Sequence, residues 1–322
     1  MKRFTIIGAA HLDALVEGVD EAIALHAGSC AAEQIRLGFG GDALNEAVAL
    51  SRLGGEVDLI GKVGLDAGGA MVLEYCRAAG VNTEHIRQEE GLRTALNIVL
   101  IDRDGERSFI TDPQSSLRAL SLDDVLPHVT TMAPIVCFAS IFVSPKFTPE
   151  KMKALFRAIK ANDSMLCADT TKRKNNEKLA DLTGFLPYID VLFTNFEEAK
   201  LLSDKDSVEE VAQDFRRHGV NCVVIKTGGS GCYIDSPEVM TIVPACKCHT
   251  CVDTTGAGDN FAAGFLFARA HGASLLNSAR FANAIASICV EHVGATLYAT
   301  TLEEVLERCQ ANYPDFSFIP CK

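Results

Sequence analysis

The sequence predicts an α/β fold: a doubly wound, mostly parallel sheet flanked by helices, with a small β-sheet lid. Two observations carry this. From Pro134 onward, short apolar β-like runs alternate with amphipathic helical segments, the rhythm of a parallel sheet covered on both faces. Before that point, residues of about 14–37 and 92–111 read as strands outside the rhythm, and pairing them in a four-stranded lid is the economical account. No Pro/Ser-rich linker and no internal repeat interrupts the chain, so residues 1–322 are expected to form one domain with that lid.

Composition narrows the function. The 322 residues are 48% hydrophobic and 22% charged, an ordinary globular balance. A net charge of −12 argues against nucleic acid or an anionic membrane as the main partner. No apolar run approaches the roughly 20 residues of a membrane span, and Met1 to Phe4 leads into a strand without a signal-peptide pattern. The twelve cysteines are irregularly spaced and mostly lie in apolar runs. Free thiols of that kind point to a reducing, cytosolic compartment with no disulfide framework.

Taken in order, Phe4 to His11 reads as a buried first strand, with His11 and Asp13 at its carboxyl end, where ligands gather in open α/β sheets. Asp13 reads equally well as a turn residue. Gly38, Gly40, Gly41, Asp42 and Asn45 then lead into a helix with Leu44, Ala47, Val48 and Ser51 at helical spacing. Gly38, Gly40 and Ala43 satisfy the loose dinucleotide pattern, but no acidic residue ends a second strand about 20 residues on. Glycines that admit a ligand to the backbone, with Asn45 beside it, fit better. Gly55 to Val63 misses the P-loop pattern by one residue and by the hydroxyl after Lys62. Arg93 to Thr111 is the clearest hairpin, with its turn at Asp104-Gly105. Helices are expected at Asp66–Ala79, Thr148–Ala161, from Glu197, and at Ser207–His218, with strands between them.

Several turns carry candidate chemistry. Lys226, Thr227, Gly228 and Gly231 form a glycine-rich turn able to approach phosphates, or a plain hairpin turn. Asn195 caps a helix or faces a ligand, and Glu198 completes a capping box or reaches magnesium through water. Lys172 and Arg173, after Asp169, form a solvated loop or face a phosphate or substrate carboxylate. Cys246, Cys248, His249 and Cys251 are metal-ligating types without a second pair at zinc spacing, and read as a strand leading into the next turn.

That turn, Asp253 to Asp259, differs in kind. Gly256, Ala257 and Gly258 leave amides uncovered at the start of an apolar helix, which suits a phosphoryl group. Asp259, in its first turn, is placed to take a proton from an attacking hydroxyl. The residues alone therefore suggest small-molecule phosphorylation.

The motifs, in their order, resemble the ribokinase (PfkB) family of carbohydrate kinases. Gly40-Gly41 with Asn45, Gly61 to Asp66, Asn195 with Glu198, Gly228 with Gly231, and above all Asp253 to Asp259 carry the resemblance. Residues 40–47 and 195–200 are most similar to the YdjH-like bacterial sugar kinases. The resemblance implies ATP-dependent transfer to a hydroxyl, usually primary, of a sugar or sugar acid. It would make Asp259 the base and the amides of Gly256, Ala257 and Gly258 the anion hole. Asp13, Gly40, Gly41 and Asn45 would bind sugar. Asn195, Lys226, Thr227, Gly228, Gly231 and Asn283 would lie along ATP, with Glu198 near Mg²⁺ through water. Asp253 and Thr255 fall where many members hold a monovalent cation such as K⁺, and the lid often pairs two subunits as a homodimer. Asp42 and Ser140 depart from ribokinase itself and point away from ribose, while the bases at Lys172 and Arg173 suggest a sugar acid or ketose. The alternatives are a nucleoside kinase on the same scaffold, an NAD-binding oxidoreductase using Gly38, Gly40 and Ala43, and a catalytically silent binding protein.

Overall fold

Runs rich in Ile, Val and Leu supply the strands, and their burial on both faces dictates where they sit. The computed structural model describes residues 2–19, 29–102, 107–318 and 320. The strands are β1 (Arg3–Ile7), β2 (His11–Glu17), β3 (Gln34–Gly40), β4 (Glu56–Gly64), β5 (Ile86–Glu89), β6 (Leu96–Ile101) and β7 (Arg107–Ile110). They continue as β8 (Ile135–Ile141), β9 (Met165–Thr170), β10 (Val191–Asn195), β11 (Val223–Lys226), β12 (Cys232–Asp235) and β13 (Met240–Val243).

Among the described residues, nine strands form one sheet in the order β13-β12-β11-β10-β9-β8-β1-β4-β5. It is parallel from β5 to β11, and antiparallel where β12 and β13 fold back. Period-2 alternation divides its side chains between two cores. In β8, Cys137 and Ala139 face the helices Asp42–Arg52, Ala257–Ala270 and Leu275–Cys289, while Val136 and Phe138 face the helix Pro149–Lys160 and its neighbours. Gly264 lets two of these helices touch, since a Cβ there would lie 2.5 Å from Ile285 and 3.2 Å from the Ala282 backbone.

The second sheet has the order β3-β2-β6-β7. Its strands fall within the two segments expected to lie outside the main rhythm, except that β2 starts earlier, at His11, and β3 runs on to Gly40. The Asp104-Gly105 turn lies outside the described residues. The large sheet's first strand stops at Ile7, so His11 and Asp13 belong to the small sheet rather than to a parallel strand's end. Gly38 and Gly40 likewise sit inside β3, not in a strand-to-helix loop, which removes the geometry a dinucleotide fingerprint needs. One cross-strand row of the small sheet holds Leu37, Ala14, Ile98 and Ile110, of which the three larger residues are exposed. The adjacent row, Gly38, Asp13 and Asn97, points to the opposite face.

The helices begin where their caps are. Asp66 accepts from Gly69 N, Thr148 from Lys151 N, Asn195 from Glu198 N and Ser207 from Glu210 N. Residues 244–251 are not a strand, because β13 ends at Val243. The eleven described cysteines are all free. Among the described residues, no helix is long and apolar enough to cross a membrane.

Candidate active site

The helices Asp42–Arg52 and Ala257–Ala270 pack together and bring their N-termini to one edge of the large sheet. Gly256 starts the second of them in the left-handed region, at φ 69°, and a Cβ there would press on the Ala295 backbone at 2.8 Å. Asp259 follows in the first turn, where Asn45 Nδ2 donates to its Oδ2 at 2.7 Å. Burial pushes the Asp259 carboxyl up to about 6, with Asp169 adding to that and Asn45 and Lys226 opposing it. Such a group is ionised at neutral pH yet still basic enough to take a proton. The Ala257 amide already donates to Thr254 O at 3.2 Å. Among the described residues, the Gly256 and Gly258 amides have no backbone partner of that kind, so they are the ones open to an anion.

On the side of the small sheet, Asp13, His11 and Asn97 form a polar group over this edge. Asn97 Nδ2 donates to His11 Nε2 at 2.8 Å and to Asp13 Oδ1 at 3.2 Å. Gly40 leaves room for them, since a Cβ would stand 2.8 Å from His11 Nε2. Gly41, at φ 102°, passes so close to the Ala9 carbonyl that no side chain fits. Asp42 accepts from the Ser140 hydroxyl, and burial, reinforced by Asp259, holds its carboxyl well above the usual carboxylate range. Glu46 is fully buried with no hydrogen-bond partner on either carboxyl oxygen. Burial, together with Asp169 and Asp259, holds its carboxyl well above the usual carboxylate range.

On the other side, Lys226 Nζ donates to Asp169 Oδ2 at 2.5 Å and stands over the helix start, 3.2 Å from where a Gly258 Cβ would be. Burial disfavours the ammonium, but Asp169, Asp259 and Glu198 outweigh that, so its pKa lies above the ordinary lysine value. Thr227, Gly228 and Gly231 form the tight turn after β11, with Thr227 N donating to Gly231 O at 2.9 Å. Asn195 caps its helix, with Glu198 N donating to its Oδ1 at 2.8 Å. Glu198 receives the Thr170 hydroxyl at 3.3 Å, and burial followed by Asp169 pushes its carboxyl up to about 7. Asn195, Glu198, Lys172 and Lys200 line an open cleft of 630 Å³. Asn283 is not brought to an open surface. Its amide donates to the Val243 and Pro244 carbonyls, at 3.2 and 3.0 Å, and to Tyr313.

Arg173 also turns away from any ligand, donating to the carbonyls of Glu177 and Leu201. Both bonds come from Nη1, which fixes the guanidinium against the chain's own backbone. Cys246 is buried while Cys248 and Cys251 are exposed, and among the described residues no group of three or more His, Cys, Asp or Glu could hold a metal ion. Glu198 lines the cleft with three other carboxylates, Glu197, Asp204 and Asp206, and a carboxylate there suits magnesium held mainly by phosphates and water.

Asp253 does not offer a free carboxylate. Its Oδ1 accepts from Arg107 and from Thr255 N (2.7 Å), and its Oδ2 from Gly294 N at 2.7 Å. Burial works against its charge, but these bonds outweigh it and hold its pKa below the ordinary value. This set does not fit a monovalent cation, because a guanidinium already stands there.

Sequence reasoning missed four members of this site: Asp169, Asn97, Glu46 and Arg107. Asp169, ahead of the bases at the end of a strand, was within reach of the rule that found its neighbours. Asn97 sits opposite Asp13 only once the register is known, and nothing local marks Arg107.

Residues 1–302 match the pfkB family carbohydrate kinases. The chain is 29% identical to fructokinase-1 of Zea mays, over 83% of this chain and 87% of that one. It is 27% identical to the 2-dehydro-3-deoxygluconokinase of Dickeya dadantii, over 81% and 90%. Its fold matches that of Arabidopsis thaliana ribokinase complexed with ribose and ATP, with a TM-score of 0.82, 24% identity and coverage of 96% and 99%. The chain belongs to the pfkB family of carbohydrate kinases, phosphotransferases with an alcohol group as acceptor.

Proposed function

We propose that this chain transfers the γ-phosphoryl group of ATP to a primary hydroxyl of a ketose or a sugar acid. The observation that carries the reading is Asp259 held by Asn45 at the N-terminus of a buried helix, with its pKa near 6. Asp259 takes the proton of the attacking hydroxyl. Asn45 keeps its carboxylate aimed, and with Asp13, Gly40 and Gly41 it holds the sugar under the small sheet, which acts as a lid. The Gly256 and Gly258 amides, with the Ala257 segment between them, receive charge on the transferring group. Lys226, carrying its charge beside Gly258, adds to that field. Thr227, Gly228 and Gly231 approach the nucleotide through their backbone. Asn195 orders the Glu198 helix, and Asn283 acts by pinning the end of β13. Magnesium, when bound with ATP, would neutralise phosphate charge, and Glu198 would accept from its water.

The maize and Dickeya relatives, named for fructose and for a keto-sugar acid, support the acceptor class. The exposed row of Leu37, Ile98 and Ile110, continued by Ile35, supports a homodimer through the lid, because a contiguous apolar face is costly in water. The test is a coupled ADP-release screen over sugars, aldonates, keto-sugar acids and nucleosides. Turnover is expected with a ketose or a sugar acid, whereas turnover with nucleosides and no sugar or aldonate would overturn the reading.

A further inference from the structure

Six residues before the proposed base, Asp253 anchors the turn, and the small sheet reaches across to it. Arg107, the first residue of β7, donates to Asp253 Oδ1 with its side chain only 19% exposed and that of Asp253 3%. The pair ties the edge strand of one sheet to the turn that begins the Ala257–Ala270 helix. Oxygens that could cage a cation here are already engaged. Val290 O accepts from Val252 N and Asp253 N, at 2.7 and 3.2 Å, and Ala295 O from Asn260 Nδ2 at 3.0 Å. Among the described residues of this turn, the Thr255 hydroxyl is the buried side-chain oxygen left without a hydrogen-bond partner, and one hydroxyl cannot replace the hydration shell of a large monovalent ion. A second positive charge would also have to settle beside the guanidinium, in a poorly solvated place where like charges repel strongly.

We infer that Arg107 supplies, from within the chain, the positive charge that shapes the Asp253–Asp259 turn, so that phosphoryl transfer here requires no monovalent cation. Arg107 is then a positioning residue. It touches neither reactant and acts by fixing Asp253, whose bonds to Thr255 N and Gly294 N set the course of the backbone toward Gly256. The inference rests on the proposed phosphoryl transfer for its kinetic arm only.

The experiment compares KCl with choline chloride at equal ionic strength, so that screening is the same in both. Two readouts are taken, ADP release with the best acceptor and thermal unfolding of the substrate-free protein, for wild type, Arg107→Gln and Arg107→Lys. Wild-type turnover is expected to agree within about twofold between the salts, with no stabilisation by potassium beyond about 1 °C. Arg107→Gln is expected to lose about tenfold or more in choline and to recover part of it in KCl, with a Tm that now rises with potassium. Arg107→Lys, which keeps the charge, recovers most of the loss without potassium. A wild type activated about tenfold or more by KCl overturns the inference, as does an Arg107→Gln protein equally active in both salts. If Arg107→Gln does not fold, the wild-type comparison and Arg107→Lys decide in the same way. Failure of the kinase reading looks different: no acceptor releases ADP in either salt, while the unfolding results still stand.

Discussion

The two ends of one short turn carry the same side chain with its pKa shifted in opposite directions. Both Asp253 and Asp259 are removed from bulk water, which alone would raise both pKa values. Asp253 meets an arginine and two backbone amides, and its carboxyl is held below the ordinary value. Asp259 meets one amide side chain and sits among Asp42, Asp169 and Glu46, and it rises to about 6. The donors supplied by the fold, rather than residue type, divide an anchor from the proposed base.

Breaking the base end should give the largest effect. Asp259→Asn is expected to lower kcat by about 10²–10⁴-fold while leaving ATP affinity nearly unchanged. In the wild type, kcat/KM should fall about tenfold for each pH step below about 6 and level off above it, since only the ionised carboxylate accepts a proton. Steady-state kinetics of both proteins across pH check this, and near-normal turnover in Asp259→Asn would remove it from the role of base.

Stability should separate the two ends by sign. A lowered pKa means that Asp253 stabilises the fold above its unfolded pKa, and that this is lost as pH falls through the folded value. A raised pKa means that Asp259 costs nothing below its unfolded value, with a cost that builds as pH rises from there and is complete above about 6. At pH 8, Asp253→Asn is therefore expected to destabilise by up to about 3 kcal/mol, because it strands Arg107. Asp259→Asn should stabilise the substrate-free protein by on the order of 1–2 kcal/mol, with the gain fading toward pH 4. Denaturant titrations at pH 8 and near pH 4 read both, and two shifts of the same sign would break the comparison.

The smallest effect is expected at Arg173, whose guanidinium bonds backbone carbonyls. Arg173→Ala should change acceptor KM by less than about threefold while costing about 1–2 kcal/mol in lost bonds to backbone carbonyls. A KM rise well beyond that would return Arg173 to the binding site.

Much of the large sheet could be read in advance, because both-face burial leaves continuous apolar runs and the helix caps are local. Asp66, Thr148, Asn195 and Ser207 each announce a helix within four residues. The small sheet could be read only as strands, since its pairing depends on register: Asp13 meets Asn97 across a parallel ladder spanning 84 residues of chain. Glycine turns and the Asp259 helix start could be found because their geometry is encoded within a few positions. Lys226 with Asp169 and Arg107 with Asp253 are ion pairs across 57 and 146 residues, and no local pattern foretells such partners. The partners of Arg173 could not be read either, because a cluster of bases does not reveal which carbonyls lie nearby.

Gly41 has a mechanical consequence. It is the single residue between the end of β3 at Gly40 and the start of the helix at Asp42, and it sits wedged against the Ala9 carbonyl. Three residues beyond Asp42, on that helix's first turn, Asn45 grips Asp259. The arrangement works as a lever with a one-residue pivot. A tilt of the small sheet as it settles on a sugar would be delivered through Gly41 to the grip on the base, so that recognising the acceptor and aiming the proton acceptor become one movement.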